Sequence, residues 1–192
     1  MAQSLIAIRL TLEWEDAGVD RDYVREMHSA LNGVPGFQGG GAWKGADDPH
    51  ARLLLFSYES PEAAGRGLAA IADLPALIER LSPGASPADV KGIVVQGADG
   101  GFAHGVPNDA LVSLSVRTAD PGYGPEMIDE YEGVFGGLGL LPGYAGSLVG
   151  TNAKLPDEIV GLAAWTYRDA FEASMPAVSP YEVVLYEPHG ED

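Results

Sequence analysis

Alternating apolar residues mark the first element of the chain. Residues 4–14 carry Ile6, Ile8, Leu10, Leu12 and Trp14 on one side, with smaller or polar residues between them. A period of two residues predicts a β-strand with one buried face. Apolar residues then recur at helical spacing over residues 20–31, where Asp20 is a suitable N-cap. The sequence Asn32-Gly33 followed by Pro35 predicts the end of this helix.

Three further strands and a second helical segment follow. Residues 37–44 form a glycine-rich strand, and residues 52–59 are apolar on both faces, which is typical of a strand in the middle of a sheet. The dipeptide Ser60-Pro61 predicts a helix start, and apolar residues at helical spacing continue to residue 81. A strand at residues 90–96 completes the order β-α-β-β-α-β.

Residues 141–171 repeat residues 34–64 in step and without a gap. Pro142, Gly143, Tyr144 and Trp165 correspond in this register to Pro35, Gly36, Phe37 and Tyr58. The element order also recurs, with strands at 110–118, 144–151, 158–166 and 181–187 and helices at 127–138 and 168–175. We therefore interpret the chain as an internal duplication. Its parts are a first half over residues 1–97, a glycine-rich linker over 98–109 and a second half over 110–192.

This order of elements predicts an α+β fold. A βαββαβ unit is the ferredoxin-like arrangement, in which two helices cover one face of a four-stranded antiparallel sheet. The other face of each sheet requires cover, and two such sheets in one chain can cover each other. The predicted architecture is therefore two tandem ferredoxin-like halves forming an intramolecular pseudo-dimeric α/β barrel. Such a chain can remain a monomer or form a higher homo-oligomer.

Composition and charge restrict the classes of partner. The 192 residues include 28 acidic and 11 basic side chains, for a net charge of −17, and no cysteine. A surface of that sign repels phosphate backbones and anionic lipids, so we expect neither nucleic-acid nor membrane binding. Thiolate chemistry is excluded, and the four histidines lack metal-site spacing, so we predict no metal. The N-terminus has no basic segment before its apolar stretch, which favours a cytoplasmic protein.

Three motifs carry a resemblance to a known family. They are a Pro-Gly-aromatic turn after the first helix, a hairpin containing Pro and Asp, and a third strand that ends in an aromatic residue. In the second half these are Pro142-Gly143-Tyr144, Leu155-Pro156-Asp157 and residues 164–171. Over both halves the chain resembles the antibiotic-biosynthesis-monooxygenase (ABM-like) family of the dimeric α/β-barrel superfamily. The resemblance implies a cavity between each sheet and its helices.

The resemblance also implies a small set of activities. Some members oxidise phenolic compounds with molecular oxygen and no bound cofactor, others degrade haem, and others have no known reaction. The haem-degrading members carry an asparagine on strand one and a histidine near the second helix, and this chain has neither residue at those places. We therefore predict a cofactor-independent monooxygenase that acts on a small aromatic or phenolic compound. The alternatives are a non-catalytic small-molecule-binding or structural protein of the same fold, and haem binding through His28.

Two arginines and two aromatic residues are the predicted catalytic residues. Pairing Ile6, Ile8 and Leu10 with Val112, Leu114 and Val116 places Arg9 and Arg117 on one face of the first strand of each half. There an arginine among small polar residues can hold an anionic oxygen, or it can simply pair with a carboxylate such as Glu13 or Glu182. Trp165 and Tyr58 end the third strands, where they can stack on a flat substrate or serve as core aromatics.

Three further residues are predicted to bind substrate. His28 lies at the edge of the apolar side of the first helix, where it can act as a general base or remain a partly exposed surface residue. Trp43 and Asn152 lie near the exits of the second strands. Asn152 can equally be a turn residue.

Overall fold

The computed structural model describes residues 4–12, 17–81, 89–177 and 182–189. Trp14 and Glu13, which entered the predictions above, lie outside these ranges. The first half contains β1 (Ser4–Thr11), α1 (Ala17–Asn32), β2 (Phe37–Gly45), β3 (Ala51–Tyr58), α2 (Pro61–Ala70), α3 (Leu74–Leu81) and β4 (Asp89–Gly100). After a 3-10 turn at Gly101–His104, the second half contains β5 (Leu111–Thr118), α4 (Gly124–Leu138), β6 (Tyr144–Asn152), β7 (Glu158–Trp165), α5 (Arg168–Ser174) and β8 (Val184–Pro188).

The eight strands form one closed antiparallel barrel. Its order is β1-β3-β2-β8-β5-β7-β6-β4, so each half contributes a four-stranded sheet and the two sheets join through β2–β8 and β4–β6. Both third strands are central, because β3 lies between β1 and β2 and β7 lies between β5 and β6. The predicted α+β barrel is confirmed. In the described part of the chain, no helix has the length and apolar composition needed to cross a membrane.

Apolar side chains fill the barrel and the layers between the sheets and the helices. The barrel interior contains alternate residues of the central strands: Leu5, Ala7, Leu53, Leu55, Val112, Leu114, Val160 and Leu162. The intervening residues of each strand face the helices, because successive side chains of a strand point to opposite faces. The chain therefore has one core inside the barrel and a separate layer beneath the helices of each half.

The Pro-Gly-aromatic turn has a steric reason in both halves. Gly36 and Gly143 have φ angles of 91° and 84°, which side chains other than glycine rarely adopt. A Cβ atom at these glycines would lie 2.7 Å from Cβ of Ala63 and 2.6 Å from Cβ of Ala170. The glycine thus lets the start of the second strand pack against the helix that follows the third strand.

Some predicted boundaries were wrong. Helix α1 begins at Ala17, so Asp20 lies inside the helix and is not its N-cap. Ser60 does cap α2, because its Oγ accepts the amide hydrogen of Ala63 at 3.2 Å. Strand β4 continues through the first residues of the predicted linker to Gly100, where it pairs with Gly146 of β6. This pairing uses backbone groups of glycine-rich sequence, which produce no alternating side-chain pattern.

Candidate functional site

The layers beneath the helices differ between the two halves. Strands β1 and β5 have the same length, and the interval from Ser4 to Leu111 equals that from Phe37 to Tyr144. The repeat register therefore extends to the first strands. In this register the opposed pairs Ile6–Phe56 and Ile8–Leu54 correspond to Ser113–Ala163 and Ser115–Gly161. Four large apolar side chains of the first half are thus replaced by four small residues in the second.

The layer of the first half is filled by these large side chains. Ile6, Ile8, Leu54 and Phe56 are fully or almost fully buried. They pack against residues of α1 and α2, among them Met27, Leu31, Ala63 and Ala64. We call Ile6, Ile8, Leu54 and Phe56 the closed layer.

The second half contains a cavity of about 200 Å³ in the corresponding place. It lies between the outer face of β5 and β7 and the helices α4 and α5. Four aromatic residues line it: Tyr131, Phe135, Trp165 and Phe171. Helix α4 supplies Tyr131 and Phe135, whereas the large side chains of the closed layer belong to strands. The aromatic walls therefore surround space that the small strand residues leave open.

Edge contacts between rings fix the indole of Trp165. Its ring centroid lies 5.8 Å from that of Tyr144 and 6.0 Å from that of Phe171, both nearly perpendicular. Its Nε1 donates to Ser113 Oγ at 3.0 Å, and this hydroxyl lies 3.4 Å from the carbonyl oxygen of Ala163. These contacts hold the indole in one orientation at the cavity wall.

A polar strip runs along β5 inside the cavity. The hydroxyl oxygens of Ser115 and Tyr131 lie 2.8 Å apart, in a geometry in which either can donate. Arg117 follows on the same face of the strand, and its Nη1 lies 3.4 Å from Oε1 of Glu130 on α4. The side chains of Arg117 and Glu130 are 29% and 46% exposed, so this ion pair lies at the cavity mouth. The cavity thus has hydroxyl groups inside and a charge pair at its opening.

The prediction that Arg9 and Arg117 share a face was wrong. Arg9 lies opposite Leu53 on β3, and Ala7 lies opposite Leu55, so Arg9 belongs to the face that lines the barrel. The sequence pairing of the first strands was displaced by one residue, and such a displacement moves every side chain to the other face. Arg9 instead forms an ion pair with Asp89 at 2.6 Å, rather than with Glu13 or Glu182.

Tyr58 and His28 lie in the first half, away from the cavity. Tyr58 is 0% exposed, and its hydroxyl has no hydrogen-bond partner among the described residues. Burial raises the pKa of Tyr58 to about 12. The ring of His28 packs edge-on against Phe56 of the closed layer, with a centroid distance of 5.4 Å. Both side chains therefore contact packed core residues.

Trp43 and Asn152 also lie outside the cavity. Trp43 is buried in the barrel interior, where its Nε1 donates to the carbonyl oxygen of Ala110 at 2.9 Å. Asn152 accepts from the amide of Lys154 at 3.0 Å and donates to Glu158 Oε1 at 2.8 Å. This is the turn role that the sequence allowed as the alternative.

The structure thus brings together only Arg117 and Trp165 of the seven predicted site residues. It adds Glu130, Tyr131, Phe135 and Gly161, which the sequence reasoning missed. The signal was present, because extending the repeat register to the first strands would have aligned Ile6 with Ser113. Among the described residues, no group of three or more histidine or acidic side chains is placed to hold a metal ion.

The fold is shared with known structures, although no family model and no curated protein matches the sequence. A protein from Fusobacterium nucleatum named "putative monooxygenase" superposes with a TM-score of 0.71 at 11% identity, covering 97% of this chain and 92% of that one. An "anthrone oxidase-like protein" gives a TM-score of 0.70 at 15% identity, covering 99% and 94%.

A third structure has a name that refers to the family that the sequence motifs suggested. It is a ferredoxin-fold protein from Listeria monocytogenes related to antibiotic biosynthesis monooxygenases, with a TM-score of 0.55 at 9% identity. The match covers 99% of this chain and 97% of that one. At these identities the likeness concerns the fold. The chain therefore has the ferredoxin-like dimeric α/β-barrel fold of the ABM-related proteins, as its turn and strand motifs predicted.

Proposed function

We propose that the chain is a cofactor-independent monooxygenase that oxidises a small phenolic compound with molecular oxygen. The observation that carries the proposal is the cavity of the second half, whose aromatic walls enclose a strip of hydroxyl groups beside an arginine. Its likeness in fold to monooxygenase-related proteins supports the same reaction class. Trp165 and Arg117 retain the stacking and anion-holding roles proposed from the sequence.

Aromatic walls and hydroxyl groups suit a flat substrate with one polar edge. Aromatic rings pair favourably in edge-to-face or offset-stacked geometry, so a planar ligand fits between Trp165, Phe135 and Phe171. Its hydroxyl group would then exchange hydrogen bonds with Ser115 and Tyr131. Arg117 is two residues beyond Ser115 on β5, roughly 7 Å along the strand, and its charge acts on this edge once Glu130 is protonated.

The reaction requires the substrate to lose a proton before it gives electrons to oxygen. We assign the final acceptance of this proton to Glu130, which it reaches through the paired hydroxyls of Ser115 and Tyr131 and water at the cavity mouth. Protonation of Glu130 removes its negative charge from Arg117, which then faces the phenolate. The ion pair at the mouth can in this way stabilise the anion as it forms.

Oxygen then supplies both the inserted atom and the oxidising equivalents. The phenolate donates electrons to oxygen, a carbon–oxygen bond forms at the ring carbon para to the hydroxyl, and the oxygen–oxygen bond breaks. For 1-naphthol the products are 1,4-naphthoquinone and water. One oxygen atom enters the quinone and the other leaves as water, together with the phenolic proton and the ring hydrogen.

Oxygen uptake with labelled gas tests the proposal. Phenol and 1-naphthol are each incubated with the protein under ¹⁸O₂, and products are analysed by mass spectrometry while an electrode records oxygen consumption. We expect each quinone molecule to contain one ¹⁸O atom and one O₂ molecule to be consumed per quinone formed. No hydrogen peroxide should be produced. An unlabelled product, or peroxide in equal amount to product, would contradict oxygen insertion.

The ion pair at the mouth also favours a second candidate function, which is binding without oxidation. As long as Glu130 remains charged, it neutralises Arg117 and leaves no net positive charge for a phenolate. A protein of this kind would bind phenols under air and leave them unchanged. Saturable binding of phenol and 1-naphthol without oxygen uptake would establish it in place of the monooxygenase.

A further inference from the structure

The volume of the cavity limits the size of its ligand. Pockets for drug-sized ligands usually measure about 300 to 1,000 Å³, whereas an apolar cavity of about 150 Å³ accommodates benzene. The cavity of the second half, at about 200 Å³, lies just above the smaller value. It therefore encloses one ring or two fused rings, and a third fused ring would exceed the enclosed volume.

The hydroxyl groups of Ser115 and Tyr131 determine where the oxygen of such a ligand lies. Both residues are buried, and their oxygens already contact each other at 2.8 Å. Apart from Ser113, Ser174 and the charge pair at the mouth, the other residues that line the cavity are apolar or aromatic. A ligand oxygen placed against this apolar lining would lose its hydrogen bonds with water and gain little in return, which costs about 1 to 3 kcal/mol in a buried site.

In the first half, described side chains fill the corresponding place. Phe56 and Leu54 occupy the positions of Ala163 and Gly161, and both are buried against α1 and α2. A ligand would have to displace the ring of Phe56, which also contacts His28 and Phe37.

We infer that each chain binds one ligand molecule, in the second half only, and that the ligand is a phenol of one or two fused rings with its oxygen at Ser115 and Tyr131. This inference rests on the proposed function for the phenolic class. The inference adds the size of the ligand, the stoichiometry and the residues that bind the ligand oxygen.

Anaerobic isothermal titration calorimetry measures these properties without any turnover. We expect one molecule of 1-naphthol per chain, weaker or similar binding of phenol, and at least about tenfold weaker binding of anthrone, which corresponds to about 1.4 kcal/mol. Two equivalent molecules of 1-naphthol per chain, or anthrone binding as tightly as 1-naphthol, would overturn the inference.

Transferring the closed layer to the second half tests the location. Ala163→Phe introduces the counterpart residue Phe56, and we expect it to abolish binding of 1-naphthol. Ala163→Leu fills less space and serves if the first variant does not fold, as judged by circular dichroism. The matched control is Phe56→Leu in the first half, which should leave both affinity and stoichiometry unchanged. Unaltered binding in a folded Ala163 variant would place the ligand elsewhere.

A pair of tyrosine variants tests the orientation. Tyr131→Phe should weaken 1-naphthol binding about five- to tenfold, the loss expected for one hydrogen bond, and leave naphthalene binding unchanged. Tyr58→Phe in the first half should change neither. Equal effects on naphthol and naphthalene would overturn the assigned position of the oxygen. Oxygen uptake under air separates the two proposals, because tight stoichiometric binding without uptake refutes the oxidation and leaves this inference standing.

Discussion

The ring of Tyr131 on α4 lies directly on the backbone of Gly161 on β7. A Cβ atom at Gly161 would stand 2.7 Å from Cδ1 of Tyr131 and 3.1 Å from Cζ of Phe135. The glycine therefore lets two aromatic rings of α4 approach the sheet, and this approach brings the Tyr131 hydroxyl to Ser115. In the first half, Leu54 occupies the position of Gly161 and fills that space itself.

Gly161→Ala should displace Tyr131 and lower the stability of the protein. The added methyl group overpacks the contact, which typically costs about 1 to 3 kcal/mol in free energy of unfolding. Urea unfolding measures this cost, and titration with 1-naphthol should show weaker binding. The control is Gly133→Ala on α4, where a Cβ meets nothing within 4 Å. This change should raise the stability by about 0.4 to 1 kcal/mol. Equal stability of both variants would contradict the packing described.

Trp165→Phe and Tyr58→Phe should have opposite consequences, although the two residues occupy equivalent positions. Removal of the Trp165 indole N–H leaves the Ser113 hydroxyl without its donor, and we expect a loss of about 1 to 2 kcal/mol in free energy of unfolding. The Tyr58 hydroxyl has no partner among the described residues, so its removal should leave the stability unchanged or raise it by up to about 1 kcal/mol. Urea unfolding of both variants measures these changes in stability. A clear loss of stability in Tyr58→Phe would mean that the Tyr58 hydroxyl has a hydrogen-bond partner.

Arg117→Met and Arg9→Met distinguish an arginine that lines the cavity from one that lies on the barrel side of its sheet. Arg117 lines the cavity mouth, where its charge stabilises the phenolate in the proposed reaction, and such an interaction with a charged group is worth about 1.5 to 3 kcal/mol. We therefore expect kcat/KM for oxygen uptake with 1-naphthol to fall about 10- to 150-fold. Arg9 pairs with Asp89 on the other face of its sheet, so Arg9→Met should retain full uptake. A comparable loss of uptake in both variants would mean that the effect of Arg117→Met is structural.

Asp89 should make the stability of the protein sensitive to acid. Burial raises the pKa of this carboxyl group, but hydrogen bonds from Arg9 and Lys91 outweigh that effect and hold the pKa below its usual value. A pKa that is lower in the folded state than in the unfolded state contributes stability above the unfolded value, about 3.9. The contribution disappears as the pH falls through the folded pKa.

Unfolding of Asp89→Asn between pH 2.5 and pH 7 measures this contribution. The variant should be less stable than the parent protein at neutral pH, and the difference should shrink below about pH 4. Asp47→Asn is the control, because Asp47 forms an exposed ion pair with Arg168, and such pairs contribute about 0 to 1 kcal/mol. A difference between Asp89→Asn and the parent that stays constant with pH would exclude the ionised carboxylate as its cause.

Local patterns predicted most elements of the fold. The alternation over residues 4–12 and the helical spacing before Pro35 depend on neighbouring residues only, so they are visible without tertiary structure. The Pro-Gly-aromatic turns were informative because a positive φ and a close backbone contact both require glycine. The end of β4 was missed, because pairing between backbone groups of Asp89–Gly100 and β6 is independent of side-chain pattern.

The site was predicted less completely than the fold. Trp165 and Arg117, which do line the cavity, were selected because an aromatic residue ends the third strand and few cations occur in the second half. Arg9 was assigned to the wrong face of its strand. The alternating pattern shows that each first strand has two different faces, but it does not show how β1 aligns with β5 in the repeat. Tyr131 and Gly161 were missed, since neither has a distinctive motif and each acquires its role only through contact with the other.

The sequence by itself determined the order of elements, the barrel and the type of residue available for chemistry, because these follow from periodicity, turn residues and composition. Only the tertiary structure decided that the space beneath the helices is filled in one half and open in the other. That difference depends on which side chains oppose each other across strands, Phe56 with Ile6 and Ala163 with Ser113. A cavity forms where side chains do not fill the space between packed elements. Its presence therefore depends on the combined volumes of side chains that are distant in sequence.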